Sequence, residues 1–222
     1  MAFPDKSCLF AFATPAEFIA FFPEYETTAD EFTPDKLIEL SEGRGYACIL
    51  GLGILSFATN LTYMLGLVRQ RAIPISSVFI LGVCGAYPNR GIDPLDVVRV
   101  DTEFVGDLGY QDADGSFYPF PSTVRATDSS QAPLHLQRLK SVVGLTVNRC
   151  TGTEELGFLR SRTFDADIEN MEGAAGIAAC MAYRVPVFEI RAVCNMASTR
   201  DRASWKFNEA LAALRKCVMC GE

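Results

Sequence analysis

The sequence has one histidine and one tryptophan in 222 residues, and no clean apolar run long enough to cross a bilayer. Its longest apolar stretch, Ile54–Val68, is interrupted by Ser56, Thr59, Asn60 and Thr62, and falls short of the ~20 residues a membrane helix needs. The lone histidine, His135, lies in the polar stretch Ser129–Lys140 and reads as a solvated residue on a surface helix. A histidine-rich zinc site cannot be assembled, and a Ser-His-Asp or Cys-His machine would have to route all its chemistry through that one residue. Positive charge is also in the minority, with 20 Lys and Arg against 27 Asp and Glu and a net charge of −7. Such a field repels phosphate backbones and anionic lipid, so nucleic acid and membrane are poor partners and a small molecule is the better one.

Cysteine is present but not patterned. Most of the eight, such as Cys8, Cys48, Cys84 and Cys194, sit inside apolar runs, where a reduced thiol behaves as a small hydrophobe. Nothing matches a disulfide scaffold, and no basic segment with an apolar core and cleavage site opens the chain, so a reduced, cytoplasmic protein is expected. Cys217-x-x-Cys220 has no second CxxC and no histidine near it, and reads as two helix-end thiols.

What is there is a rhythm. Continuous apolar runs at Cys8–Ala13, Ala47–Leu52, Val78–Cys84, Val142–Val147 and Val187–Cys194 predict strands covered on both faces. Helical patterns at Ile54–Arg71, Leu134–Lys140, Glu154–Arg162, Met171–Arg184 and Ala203–Val218 lie between them. The alternation predicts an α/β fold, a single domain over residues 1–222. Glu24–Gly43 is polar and reads as an edge excursion. Asp96–Pro121 mixes strand signals with Gly, Asp and aromatics, as an antiparallel extension or a ligand-covering loop would.

Several constellations could carry chemistry. Gly51-Leu-Gly53 and Gly82-Val-Cys-Gly85 follow strands; a dinucleotide fingerprint would need a third glycine where Ser56 stands. These glycines serve either as plain turns or to let a ligand approach the carboxyl edge of the sheet. Glu169-Asn-Met-Glu172 stands at a helix start. Glu172 is then either a charge favoured by the helix dipole, worth ~0.3–1 kcal/mol, or a bidentate acceptor for a sugar diol. Arg191 interrupts an apolar strand, and a buried arginine must be paired; Glu17 and Glu172 are the candidate partners. Glu17, Gly85 and Asn195, just past strands one, three and five, converge on one inferred crevice.

Taken together, Asn170-Met-Glu172-Gly-Ala-Ala175 followed by Ile190-Arg-Ala-Val-Cys-Asn195 resembles the nucleoside phosphorylase/nucleosidase superfamily. Gly106-Asp-Leu-Gly109 and Arg200-Asp201-x3-Trp205 resemble, more narrowly, its futalosine hydrolases, relatives of the methylthioadenosine/S-adenosylhomocysteine nucleosidases. The resemblance runs from Phe10 to Leu211 and implies an α/β/α sandwich around a mixed sheet. It implies that Glu17 activates water, that Glu172 accepts from the ribose 2′- and 3′-hydroxyls, and that Met171 packs on the sugar. Arg191 would help hold the water and the acidic cluster, while Val83, Cys84 and Gly85 would line the base and sugar site. Asn195 stands where the adenine-releasing relatives have an aspartate that protonates the base; Cys194 and Val83 stand where serines are usual. An amide cannot give up a proton, but it can donate to one purine atom and accept from a neighbour, which suits a 6-oxopurine. The implied function is hydrolysis of futalosine to hypoxanthine, a step of menaquinone biosynthesis, with no metal or organic cofactor and with a homo-oligomer as the working form. Phe104, Tyr110, Phe117, Tyr118 and Phe120 are interface or lid candidates, or else local core. Phosphorolysis is disfavoured, since Ala13-Thr-Pro-Ala-Glu17 offers phosphate no arginine and a carboxylate would repel it. The alternatives are an adenine-releasing nucleosidase acting on methylthioadenosine, S-adenosylhomocysteine or aminofutalosine, and a non-catalytic nucleoside binder.

Overall fold

The computed structural model describes residues 7–26 and 33–220, the side chain of Cys220 excepted. In chain order the strands and helices are β1 (Cys8–Phe12), α1 (Pro15–Phe21), β2 (Ile38–Glu39), β3 (Tyr46–Ile49), α2 (Gly53–Gln70), β4 (Ser77–Ala86), β5 (Val97–Val105), β6 (Gly109–Gln111), β7 (Phe117–Pro119), β8 (Val124–Arg125), α3 (Leu134–Gln137), β9 (Lys140–Thr146), α4 (Glu154–Phe164), β10 (Ile168–Asn170), α5 (Gly173–Tyr183), β11 (Val187–Met196) and α6 (Phe207–Cys220).

One mixed sheet runs in the order β10-β9-β5-β11-β4-β1-β3-β2, with β8 beside β5. Successive β1 side chains point to opposite faces, and both faces are covered. Phe10 and Phe12 meet Phe18, Phe21 and Phe22 of the α1 region and, beyond them, Leu211 and Leu214 of α6. Leu9 and Ala11 face Phe57, Leu61 and Leu65 of α2 and Ile177 of α5. This double burial is why β1 reads as an unbroken apolar run. All five predicted strands are present, and the layers are those of the expected mixed-sheet sandwich.

At its other end the sheet curls. Strand β10 pairs parallel with β9 and also antiparallel with the tip of β4, Ile168 to Ala86 and Glu169 to Gly85. Strands β4, β11, β5, β9 and β10 therefore close a ring around Cys84, Val98, Val100, Val142, Ile168 and Val193. The closure gathers the carboxyl ends of β1, β4 and β11 with β10 on one rim.

Some expectations are corrected. Strand β5 is neither an extension nor a loop but an inner strand of the main sheet, antiparallel to β11 and parallel to β9; β6 and β7 form a separate hairpin. The pattern at 203–218 becomes a helix only from Phe207, after a short turn at Arg202–Ser204 that Asp201 caps. Leu134–Lys140 forms a single turn of helix, because Lys140 already belongs to β9. His135 is half-buried rather than solvated, its Nε2 lying 3.2 Å from the Val218 carbonyl oxygen. Within the 24–43 excursion, β2 is an edge strand on β3; residues 27–32 lie outside the described residues. Cys217 is half-buried on α6, while the side chain of Cys220, its partner in the spacing, lies outside the described residues.

Candidate active site

The rim encloses a cavity of about 230 Å³ lined by Glu17, Val83, Cys84, Gly85, Met171, Glu172 and Asn195, so seven of the eight expected site residues share one space. The eighth, Arg191, lies behind the wall, 1% exposed. It pairs with Glu172 and Glu189 from there and does not line the cavity.

Glu17 is positioned by a capping box, the Thr-x-x-Glu arrangement that satisfies orphan amides at a helix start. The Glu17 amide donates to Thr14 Oγ1 (3.2 Å), and Glu17 Oε2 accepts from the Thr14 amide (3.0 Å) and hydroxyl (2.9 Å). Its Oε1 accepts from the Val83 amide at 3.3 Å. Burial pushes this carboxyl above its ordinary range, a rise that Arg191 partly reverses and Glu172 reinforces. A carboxyl tuned upward in a cavity is suited to taking a proton from water. Glycine at position 82 leaves room for the pair, since a Cβ there would stand 2.6 Å from Glu17 Oε1 and 2.7 Å from Arg191 Nη1 and push one of them aside.

Glu172 occupies the N-cap position of α5 without capping it. Asn170 does that work, its Oδ1 accepting from the amides of Glu172 (3.0 Å) and Gly173 (2.7 Å). Glu172 reaches across instead: Oε1 accepts from the Gly53 amide at the start of α2 (3.1 Å), and Oε2 pairs with Arg191 Nη1 (3.4 Å). Of the two readings of Glu172, the dipole that favours its charge is thus that of α2 as well as of its own helix, and its carboxylate still lines the cavity. Glu169 turns away from Glu172, accepting from the Thr151 amide (2.7 Å) and hydroxyl (2.6 Å) and from Tyr87 (2.9 Å), with Arg160 alongside at 3.4 Å.

Beneath Glu172 lies a layer that sequence reasoning missed. Arg191 Nε donates to Glu189 Oε1 at 2.8 Å. Glu103 accepts from Asn170 Nδ2 (2.5 Å) and the Thr146 hydroxyl (2.8 Å). Both acids are wholly buried. A Cβ on Gly173 would crowd the carboxylates of Glu189 and Glu103, so glycine lets α5 seat closely on them. Burial, reinforced by Glu189, holds the Glu103 carboxyl well above its ordinary range, and burial likewise raises Glu189 against the pull of Arg191. Glu189 Oε2 has no hydrogen-bond partner among the described residues. Burial alone would lower the guanidinium of Arg191; the carboxylates of Glu189, Glu172 and Glu17 more than reverse this.

The opposite end of the cavity is set by a β-bulge. Register between β11 and β4 runs Val193 to Cys84 and then skips to Asn195 against Gly85. The extra residue, Cys194, re-aims the strand end so that Cys194 and Asn195 both line the cavity. Asn195 Nδ2 donates to the Met196 carbonyl (2.8 Å), and its Oδ1 accepts from the Cys194 thiol (3.1 Å). One N–H and one lone pair are left for a ligand. Cys150, Thr151, Arg200, Trp205 and Phe207 complete the lining. Among the expected aromatics, Phe104 and Phe117 are local core against Phe164, whereas Tyr110, Tyr118 and Phe120 are exposed around the β6–β7 hairpin. No group of three or more His, Cys, Asp or Glu among the described residues is arranged to hold a metal ion.

Residues 47–220 match the sequence model of the phosphorylase superfamily. A futalosine hydrolase of Thermus thermophilus is 35% identical over 155 residues, 65% of this chain and 68% of that protein. A futalosine hydrolase of Streptomyces coelicolor is 36% identical over 154 residues, 65% of this chain and 64% of that one. Among solved structures, a futalosine hydrolase mutant of Helicobacter pylori superposes with a TM-score of 0.71 at 16% identity, covering 94% of this chain and 95% of that one. A methylthioadenosine nucleosidase mutant from the same organism, with 5′-methylthioadenosine in its active site, superposes with a TM-score of 0.70 at 16% identity, covering 95% of each chain. At such identities the structural likeness speaks for the fold.

Proposed function

The chain belongs to the phosphorylase superfamily, and from that membership we propose that it hydrolyses the N-glycosidic bond of futalosine, releasing hypoxanthine in menaquinone biosynthesis. The observation that carries this reading is one cavity lined by Glu17, Glu172 and Asn195, in a chain whose curated relatives bear the name futalosine hydrolase. Residues 1–222 are read as one domain of this type.

The geometry supports a role for each residue. Glu17, raised by burial, takes a proton from the water that attacks C1′ as the bond to the base breaks. Glu172, pinned by the Gly53 amide and Arg191, accepts from the ribose hydroxyls, and its charge favours a sugar that becomes cationic in the transition state. Met171 packs on the sugar. Asn195 offers its remaining N–H and lone pair to the 6-oxopurine edge, with Val83, Cys84 and Gly85 forming the wall beside it.

No helix of the described residues is long and apolar enough to cross a membrane, and the seven described cysteines are all free thiols, which supports a cytoplasmic setting. Exposed Leu52 and Leu55 at the start of α2, and Tyr110, Tyr118 and Phe120, support a homo-oligomer as the working form; light scattering on the purified protein tests it. For the reaction, purified protein is incubated with futalosine in phosphate-free buffer and in phosphate. Hypoxanthine released at equal rates in both, with a free sugar hydroxyl at C1′, is the expected result. Dependence on phosphate, or release of no base, contradicts it.

A further inference from the structure

The cavity lining includes three carboxylates, Glu17, Glu169 and Glu172, and one cation, Arg200. Arg90, Arg99, Arg160 and Arg191 are each paired with a carboxylate. Arg200 has a ring and a thiol instead. Its guanidinium carbon stands 4.9 Å from the centre of the Trp205 ring, within cation–π range. Burial raises the Cys150 thiol, and the neighbouring Arg200 partly offsets that rise.

Its position in the fold says which end of the cavity it serves. The loop that carries it is pinned at both ends to the rim around Asn195. The Ala197 amide donates to the Ala86 carbonyl (2.7 Å), and the Lys206 amide returns to the carbonyl of Cys194 (2.8 Å). Asp201 Oδ1, accepting from the Ala203 amide at 3.0 Å, fixes the turn between them. Arg200 and Trp205 therefore line the cavity from a loop whose two ends are fixed beside Asn195.

Resting on the hydrolase reading above, we propose that Arg200, braced on Trp205, is the catalytic cation that stabilises the purine as it leaves. When C1′–N9 breaks, its electron pair goes to the base, while water oxygen bonds C1′ and the water proton goes to Glu17. Asn195 cannot hand the base a proton, so a 6-oxopurine departs as an anion spread over its ring nitrogens and O6. A permanently charged, planar donor at that end meets this charge; the anion collects its proton from solvent after release.

The test compares wild type, Arg200→Met and Arg200→Lys on futalosine and on 4-nitrophenyl β-ribofuranoside, whose phenolate leaves unaided. Arg200→Met is expected to lose about 10²–10³-fold in kcat/KM on futalosine and only a few-fold on the nitrophenyl riboside, with Arg200→Lys recovering part of the loss. Hypoxanthine binding provides a readout apart from turnover. In wild type its affinity should hold or rise as pH takes the free base to its anion, and in Arg200→Met it should fall. Equal losses on both substrates, no loss on either, or identical binding profiles overturn the proposal. A wild type that releases no hypoxanthine overturns the hydrolase reading itself, which separates the two failures.

Discussion

At Glu172 the cavity wall is anchored from beneath, by Arg191, Asn170 and the start of α2, with wholly buried Glu103 and Glu189 under those. At Arg200 the wall is a loop pinned at its two ends, its outer residues exposed. The sugar end must hold fixed charge while C1′ becomes cationic, and preorganised charge is what a packed ionic layer provides. The base end must distinguish one purine from another and, on the proposal above, meet the charge of the departing base. That can be retuned by single side chains at the bulge, Asn195 and Cys194, or on the loop, without disturbing the core. The comparison teaches where variation is cheap for the fold: the sugar end is tied to buried ion pairs, whereas the base end rests on a strand end and its loop, where a substitution changes rate and substrate choice with little cost in stability.

Substitutions at the two ends should therefore differ in kind as well as in size. The largest effect is expected from Glu17→Gln, which keeps the shape and removes the base; turnover should fall about 10²–10⁴-fold while hypoxanthine still binds by calorimetry. Because Glu17 works ionised and burial raises its carboxyl, wild-type kcat/KM should climb with pH along a limb displaced above the ordinary carboxylate range. A limb at or below that range would detach Glu17 from the rate. Next in size, Arg191→Met should leave Glu172, Glu189 and Glu17 without their cation and cost ~3–5 kcal/mol of stability, read as a lowered denaturation midpoint. Arg200→Met, at the loosely held end, should leave that midpoint nearly unchanged, and matching losses would erase the distinction between the ends. Smaller again, 2′-deoxy analogues should react more slowly than their ribo counterparts by ~1–3 kcal/mol in ΔG‡ for the unmade bond to Glu172. Equal rates would show that the diol is not held there.

Much of this was readable from the residues, and the misses have physical causes. Strands buried on both faces announce themselves by unbroken apolarity, as β1 and β4 do. Strand β10 does not, because Ile168-Glu169-Asn170 satisfies its polar groups by contacts to Thr151, Tyr87 and Glu103 that are distant in sequence. Helix α1 carried a legible signal in Thr14-x-x-Glu17, a capping box, overshadowed there by the carboxylate's chemical promise. Glu189 was legible as well: it lies two residues before Arg191 in the same strand, and so on the same face. Glu103 was not. Its place depends on Asn170 and Thr146, brought together by the closure of β9 and β10, and nothing local to Val97–Val105 marks it.

The substrate assignment turns on Asn195, and the ratio of kcat/KM for hypoxanthine release to that for adenine release, measured on paired futalosine and aminofutalosine, tests it most directly. An adenine base presents an amino group at C6 and an unprotonated N1, leaving the Asn195 amide facing like partners at ~1–3 kcal/mol per unmade bond. Wild type should therefore favour hypoxanthine. Asn195→Asp, whose carboxyl can accept from an amino group at C6, should move the ratio toward adenine with little change in stability. A wild type that prefers adenine, or a ratio that the substitution leaves untouched, contradicts the account.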